Sequence, residues 1–111
     1  MKAFEPAELS AQMEQGGERY LEFIRTADCS VGIYRLPAGG VDGQVPHSEE
    51  EVYYVASGQG MFRQGEEDRA VGPGSLIFVP ARAEHRFHSI SADLTLVVFF
   101  APGEGSRAHY D

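Results

Sequence analysis

The chain has 111 residues, enough for one domain and too few for two independently packed ones. Apolar residues make up 42% of it, including seven Phe and five Tyr, which supplies a core and excludes the disordered class. Nine Lys and Arg against 17 Asp and Glu give a net charge of -8, and no basic run offers phosphates a counterion surface, so no nucleic-acid partner is expected.

The opening MKAFEPAELSAQMEQGGE is polar and acidic, unlike an export signal. Within it, Pro6-Ala7-Glu8-Leu9-Ser10-Ala11-Gln12-Met13 predicts one short helix, with Pro6 suited to the first turn and Gly16-Gly17 as its stop, so residues 1–18 form an N-terminal arm. From Arg19 to Ala101 the texture changes to short apolar stretches cut by Gly, Pro or polar clusters. About eight strands are predicted: RYLEFIRT, SVGIYRLP, a short piece near QVPH, EVYYVAS, GMFRQ, DRAVG, SLIFVP followed by HRFHSI, and DLTLVVFFA. Breaks fall at Pro37-Ala38-Gly39-Gly40, Ser57-Gly58-Gln59-Gly60, Gly65-Glu66-Glu67, Gly72-Pro73-Gly74 and Ser91-Ala92-Asp93. Many short strands without interleaved helices predict an all-β antiparallel sandwich or closed barrel over 19–101. Residues 102–111, PGEGSRAHYD, have no apolar period and are expected to be a loose tail.

LTLVVFFA at 94–101 is the longest apolar run, far shorter than a bilayer span, so no membrane partner is expected. The part from Leu94 to Phe100 is apolar on both faces, and one face of an outer barrel strand has no core within a small chain to cover it, which predicts a homodimer. Cys29 is the single cysteine. It excludes an intramolecular disulfide, fits a cytoplasmic, reducing compartment, and reads as a small packing residue.

The most informative stretches are GGVDGQVPHSEEEVYYVASGQG and GSLIFVPARAEHRFHS. In the first, Gly39, five residues, Val45-Pro46-His47, three residues, Glu51, six residues and Gly58 follow in order; in the second, Gly74, five residues, Pro80, Arg82, His85 and Ser89. These spacings resemble the two motifs of the cupin superfamily, with Val45 where that family has a first His, Arg82 where it has Gly and Ser89 where it has Asn. The resemblance covers roughly half the chain and implies a small antiparallel jelly-roll barrel, the double-stranded β-helix. It also implies that His47, Glu51 and His85 point into the barrel and hold a divalent transition metal: Fe, Mn, Ni or Zn.

The chemistry fits that implication, since two imidazoles and a carboxylate form a three-ligand set with positions left open for substrate or water. On one straight strand His47 and Glu51 would lie about 13 Å apart, so a turn at Ser48-Glu49-Glu50 has to bring them together. The missing first His removes one donor; with a local bulge, the Gln44 carbonyl oxygen would be a weaker fourth ligand. If Glu51 points inward, Tyr53 and Val55 follow it by the two-residue period, and Phe87 shares the face of His85. Tyr53 brings a hydroxyl and is the candidate catalytic residue. Arg63 and Arg86 would meet a substrate carboxylate if they faced in, with the surface as their default. Glu49 and Glu50 are expected to be solvated, His88 to face away from His85, and His109 to have no role.

The cupin resemblance covers dioxygenases, isomerases, decarboxylases and ligand sensors, so it leaves two functions open. The first is an enzyme acting on a small molecule at a divalent metal, with dioxygenase-, isomerase- or lyase-like chemistry. The second is a non-catalytic small-ligand sensing barrel with a degenerate metal site.

Overall fold

In the computed structural model, which describes residues 1–43 and 46–106, one helix precedes an antiparallel sheet. The helix α1 spans Pro6–Gly16; the strands are β1 Tyr20–Arg25, β2 Ser30–Leu36, β3 Glu50–Gln64, β4 Glu67–Val71, β5 Leu76–Val79 and β6 His85–Ala101. Strand order is β1-β2-β6-β3-β4, with β5 paired to β3. This is the expected all-β jelly-roll architecture with one short helix. Pro6 enters α1 in its first turn, and Gly17, at φ 73, closes it by giving its N–H to the Met13 carbonyl. No helix among the described residues is long and apolar enough to cross a membrane.

The described residues form six strands rather than about eight, because two predicted breaks lie inside continuous strands. EVYYVAS and GMFRQ are the two halves of β3, and HRFHSI and DLTLVVFFA the two halves of β6. Their ladder runs from Glu50↔Ala101 to Gln64↔His85, with register shifts between Val55 and Met61. Gly58, at φ 95, sits in that shifted stretch, and a Cβ there would lie 2.2 Å from the Asp93 carbonyl oxygen. Gly and polar residues at this point therefore bend the pair and do not end it. Of the predicted strand near QVPH, Pro46 and His47 belong to no strand, and Gln44 and Val45 lie outside the described residues.

The bend folds the β3–β6 ribbon over on itself. Nine residues of straight strand would separate Tyr53 from Phe62 by about 30 Å. Their ring centroids are 5.9 Å apart, and Tyr53 also meets Phe87 at 5.0 Å. The enclosed face carries the main core: Tyr53, Val55, Phe62, Phe87, Leu94, Leu96, Val98 and Phe100 together with Leu36, Val71, Val79 and Ile90.

A second, smaller core lies on the outer face of β2 and β6. Leu9 and Met13 of α1 pack there against Val31, Ile33 and Val97, so the helix covers part of the apolar run that was expected to lack cover within the chain. Residues 102–106, expected to be loose, are instead tied down. The Glu104 N–H donates to Ser30 Oγ at 2.9 Å, the Arg25 guanidinium donates to the Glu104 carbonyl at 2.8 Å, and the Gly105 N–H donates to Glu49 Oε1 at 2.7 Å. Polar backbone, which has no hydropathy signal, holds this segment.

The crossing at Gly58 leads to a direct expectation. Gly58→Ala places a methyl group against a backbone carbonyl at a left-handed φ, and should destabilise the fold by about 2–4 kcal/mol, read as a lower urea midpoint with unchanged slope.

Candidate metal centre

Three side chains from separate segments meet inside the bent ribbon. Glu51 comes from the first half of β3, between Val79 of β5 and Phe100 of β6. His85 opens β6, on the half that the bend carries over Glu51. His47 precedes the bend at Ser48-Glu49 that the sequence required, and its carbonyl accepts the Arg82 N–H at 2.7 Å, which ties the two motif segments together. Asp42 braces the same region: its carboxylate accepts the Tyr34 hydroxyl at 2.8 Å and the Phe87 N–H at 2.9 Å.

His85 Nε2 lies 2.9 Å from Glu51 Oε1, and His47 Nδ1 lies 3.4 Å from the same oxygen. One ligand atom from each of the three residues falls within 4.8 Å of the others. Metal–ligand bonds of about 2.0–2.2 Å at tetrahedral or octahedral angles need donors roughly 3–3.5 Å apart, and the two Glu51–histidine distances fit that spacing. His47 Nδ1 and both Glu51 carboxylate oxygens are buried and make no aligned hydrogen bond among the described residues. Buried polar atoms in that condition are costly, and a shared cation would satisfy all three. The donor set is right for a divalent transition metal. The other ring nitrogen of His85, Nδ1, meets the Ala83 carbonyl at 2.9 Å, and with its proton there the Nε2 lone pair faces Glu51 and the Tyr53 hydroxyl.

Glu104 and Glu49 carry roles that the sequence did not signal. Glu104 Oε2 lies 3.2 Å from His47 Nε2, opposite the Glu51 side of that ring. Glu49, expected on the surface, is 1% exposed, and besides Gly105 it accepts the Ser48 hydroxyl. It is buried because it anchors the returning tail. Glu50 is exposed as expected.

Electrostatics follow from these contacts. The neighbouring carboxylates, Glu104 first and then Glu51, raise the His47 pKa to about 9, against the opposing effect of burial. Burial alone would lower the pKa of His85, but Glu51 and the Ala83 carbonyl outweigh it and leave it raised. Burial would likewise raise the Glu51 pKa, and the two imidazoles bring it below the usual carboxylate value.

Tyr53, Val55 and Phe87 are buried as the alternation predicted, and the Tyr53 hydroxyl lies 3.1 Å from His85 Nε2. A cavity of about 220 Å³ adjoins the centre, lined by Tyr20, Tyr34, His47, Tyr53, Val98, Phe100 and Glu104. A larger, more open cleft of about 480 Å³ on the other side of His85 includes Arg63 and Arg86. Arg63 is ion-paired with Asp68 at 3.0 Å, as is His88 at 2.6 Å, so His88 belongs to an outer charge cluster. The suggested fourth ligand Gln44, the departure at Val45 and His109 all lie outside the described residues.

Comparison with known proteins agrees with the fold. The Cupin domain family matches residues 32–102, well over half of the chain. The chain belongs to the cupin family. A Streptomyces coelicolor protein, SCO3923, is 45% identical over 104 residues, covering 94% of this chain and 99% of its own. Acireductone dioxygenase 1 of Coprinopsis cinerea is 31% identical over 86 residues, 71% of this cupin; the match spans 48%, about half, of that relative's length. Among solved structures, the TT1209 protein of Thermus thermophilus superposes with a TM-score of 0.73 at 23% identity, over 93% of this cupin and 99% of that chain.

The raised His47 pKa fixes the sign of a pH effect. A group whose folded pKa stands above its unfolded value of 6.5 contributes stability that is full below pH 6.5 and lost as the pH rises through about 9. Metal-free protein should therefore melt at lower temperature at pH 9.5 than at pH 6.5. Zn(II) affinity should rise over the same window, by about tenfold per pH unit for each proton displaced, in calorimetric titrations.

Proposed function

We propose that this cupin is a metal-dependent enzyme acting on a small molecule, with Fe, Mn, Ni or Zn held by His47, Glu51 and His85. The observation that carries the reading is the convergence of half-buried His47 with buried Glu51 and His85 beside a small cavity, with His47 Nδ1 and both Glu51 oxygens lacking a hydrogen bond among the described residues. The 31% identical relative named as a dioxygenase supports an oxidoreductase among the available chemistries, and isomerase- or lyase-like reactions suit the same centre. When bound, such a metal polarises a substrate oxygen or, if redox-active, exchanges electrons with dioxygen.

The chain's own groups supply the rest. Phe100 and Val98 give the cavity an apolar wall that limits water. Tyr53 stands against His85 and holds a hydroxyl proton next to the centre, which fits a proton-donating or orienting role. An alternative as a non-catalytic ligand-binding barrel is favoured by one observation: His47, when charged, sits between Glu51 and Glu104 and offsets part of their negative charge without a metal.

Elemental analysis of protein purified without a His-tag or chelator separates the two. The enzyme reading expects close to one transition metal per chain in the wild type and at least a tenfold weaker affinity in His85→Ala, with the circular dichroism spectrum unchanged. Metal-free wild-type protein that takes up no added Fe, Mn, Ni or Zn would sink it.

The same reading includes a cytoplasmic homodimer. The half-buried, unpaired Cys29 suits a reducing compartment. On the outer sheet face Phe78, Val52 and Phe99 are neighbours across β5, β3 and β6, and Leu76 pairs with Tyr54 beside them. Leu76 is 71% exposed and Phe78 56%, an apolar patch that α1 does not reach and that a second copy would cover. Sedimentation at micromolar concentration should show a dimer for the wild type and a 12.2 kDa species for Phe78→Asp.

A further inference from the structure

Tyr20 opens β1 opposite Tyr34 of β2, and its hydroxyl is a buried polar atom that neither the sheet nor the candidate metal set uses. Its ring lies across Gly32: a Cβ on Gly32 would stand 2.3 Å from the hydroxyl oxygen and 2.4 Å from the adjoining ring carbon. Gly32 does not have a left-handed φ, so the backbone does not require glycine there. It is a steric notch, and any side chain at this position would push the phenol out of its place.

The three tyrosines lining the cavity differ in what they touch. The Tyr34 hydroxyl donates to Asp42, and that of Tyr53 meets His85. The Tyr20 hydroxyl is buried with no hydrogen-bond partner among the described residues. Burial, followed by the nearby Glu104, Glu22 and Glu51 carboxylates, holds its pKa above the usual tyrosine value, so it keeps its proton and stays a donor. A buried donor left unpaired is unfavourable unless something absent from the protein itself accepts the bond.

We infer that the Tyr20 hydroxyl is a ligand-binding group, which donates a hydrogen bond to an oxygen of the small molecule occupying the cavity beside His47, Glu51 and His85. The ligand class follows from the surroundings. The cavity, about 220 Å³, is below the range of about 300–1,000 Å³ typical of drug-sized sites, so the molecule is small. Glu104 on the same wall disfavours a second anion at that end, so the oxygen facing Tyr20 is a neutral hydroxyl or carbonyl. A further oxygen faces the metal set. The inference rests on the metal-binding reading above.

The test uses Co(II)-loaded full-length protein and acetohydroxamic acid as a probe with two oxygens, followed through the visible cobalt spectrum. Tyr20→Phe should bind Co(II) as tightly as wild type but acetohydroxamate about tenfold more weakly, the loss of one hydrogen bond. Gly32→Ala, which displaces the ring and leaves the hydroxyl in the chain, should weaken the probe similarly. Metal-free Tyr20→Phe should melt at the wild-type temperature or above it, since it removes an unpaired hydroxyl and no protein contact. A lower melting temperature, or unchanged probe affinity with normal Co(II) uptake, would overturn the inference alone. Failure of the wild type to take up Co(II) overturns the metal reading, and this inference with it.

Discussion

At Gly58 the backbone of β3 passes so close to the Asp93 carbonyl on β6 that no side chain fits between them. Two continuous strands, 15 and 17 residues long, bend together there, and the halves on either side of the bend come to face one another. The interior that results is both the main core and the chemical site. Tyr53 and Phe87 meet edge to face within it, and Glu51 and His85 meet there at 2.9 Å. The packing that stabilises the fold is therefore the same packing that sets the spacing of the ligand atoms. Glu51 and His85 are thus positioned by strands, while His47 stands on the loop before β3, tied to the second motif through the Arg82 N–H.

The bend explains what the sequence made legible. Ser57-Gly58-Gln59-Gly60 and Ser91-Ala92-Asp93 read as the ends of strands because glycine and polar residues punctuate both turns and bulges, and local composition cannot tell the two apart. The inward set survived that error, because alternation holds within each half whichever way the halves are joined. The cupin motif glycines have a physical reason as well: Gly39, Gly58 and Gly74 all have positive φ. So do Arg82 and Ser89, at 65° and 48°, and these are the two positions where the second motif departs from the family residues Gly and Asn. The left-handed backbone is present at both positions without those residues, at a cost of about 1–2 kcal/mol for each non-glycine residue. At Arg82 that backbone has a task, since its N–H holds the His47 carbonyl.

The returning segment after β6 was not legible, for a physical reason. Hydropathy and period report side-chain burial, whereas residues 102–106 are held by backbone groups donating to Ser30 and Glu49 and accepting from Arg25. The same contacts account for Glu49. A carboxylate flanked by Ser48 and Glu50 has the composition of a solvated turn, and its contact with the Gly105 N–H, from the far end of the chain, has no local signal. Glu104 reaches His47 as a consequence of that docking.

The charges around His47 connect these features. Asp42 and Glu49 are buried acids answered by hydrogen-bond donors, which leaves Glu51 facing the two imidazoles and Glu104 facing His47 from the other side. In a metal-free chain the cation between the two carboxylates is the His47 imidazolium, held there by a raised pKa. A divalent ion needs the same ring neutral, so proton and metal compete for one position, and the carboxylates that stabilise the proton also raise the basicity of the ligand once it is lost. Glu104 thus acts in both states: it accepts from the charged ring in the first and orients the neutral ring in the second. Its carboxylate stays in place through the backbone contacts of its own segment, independently of whether His47 carries the proton.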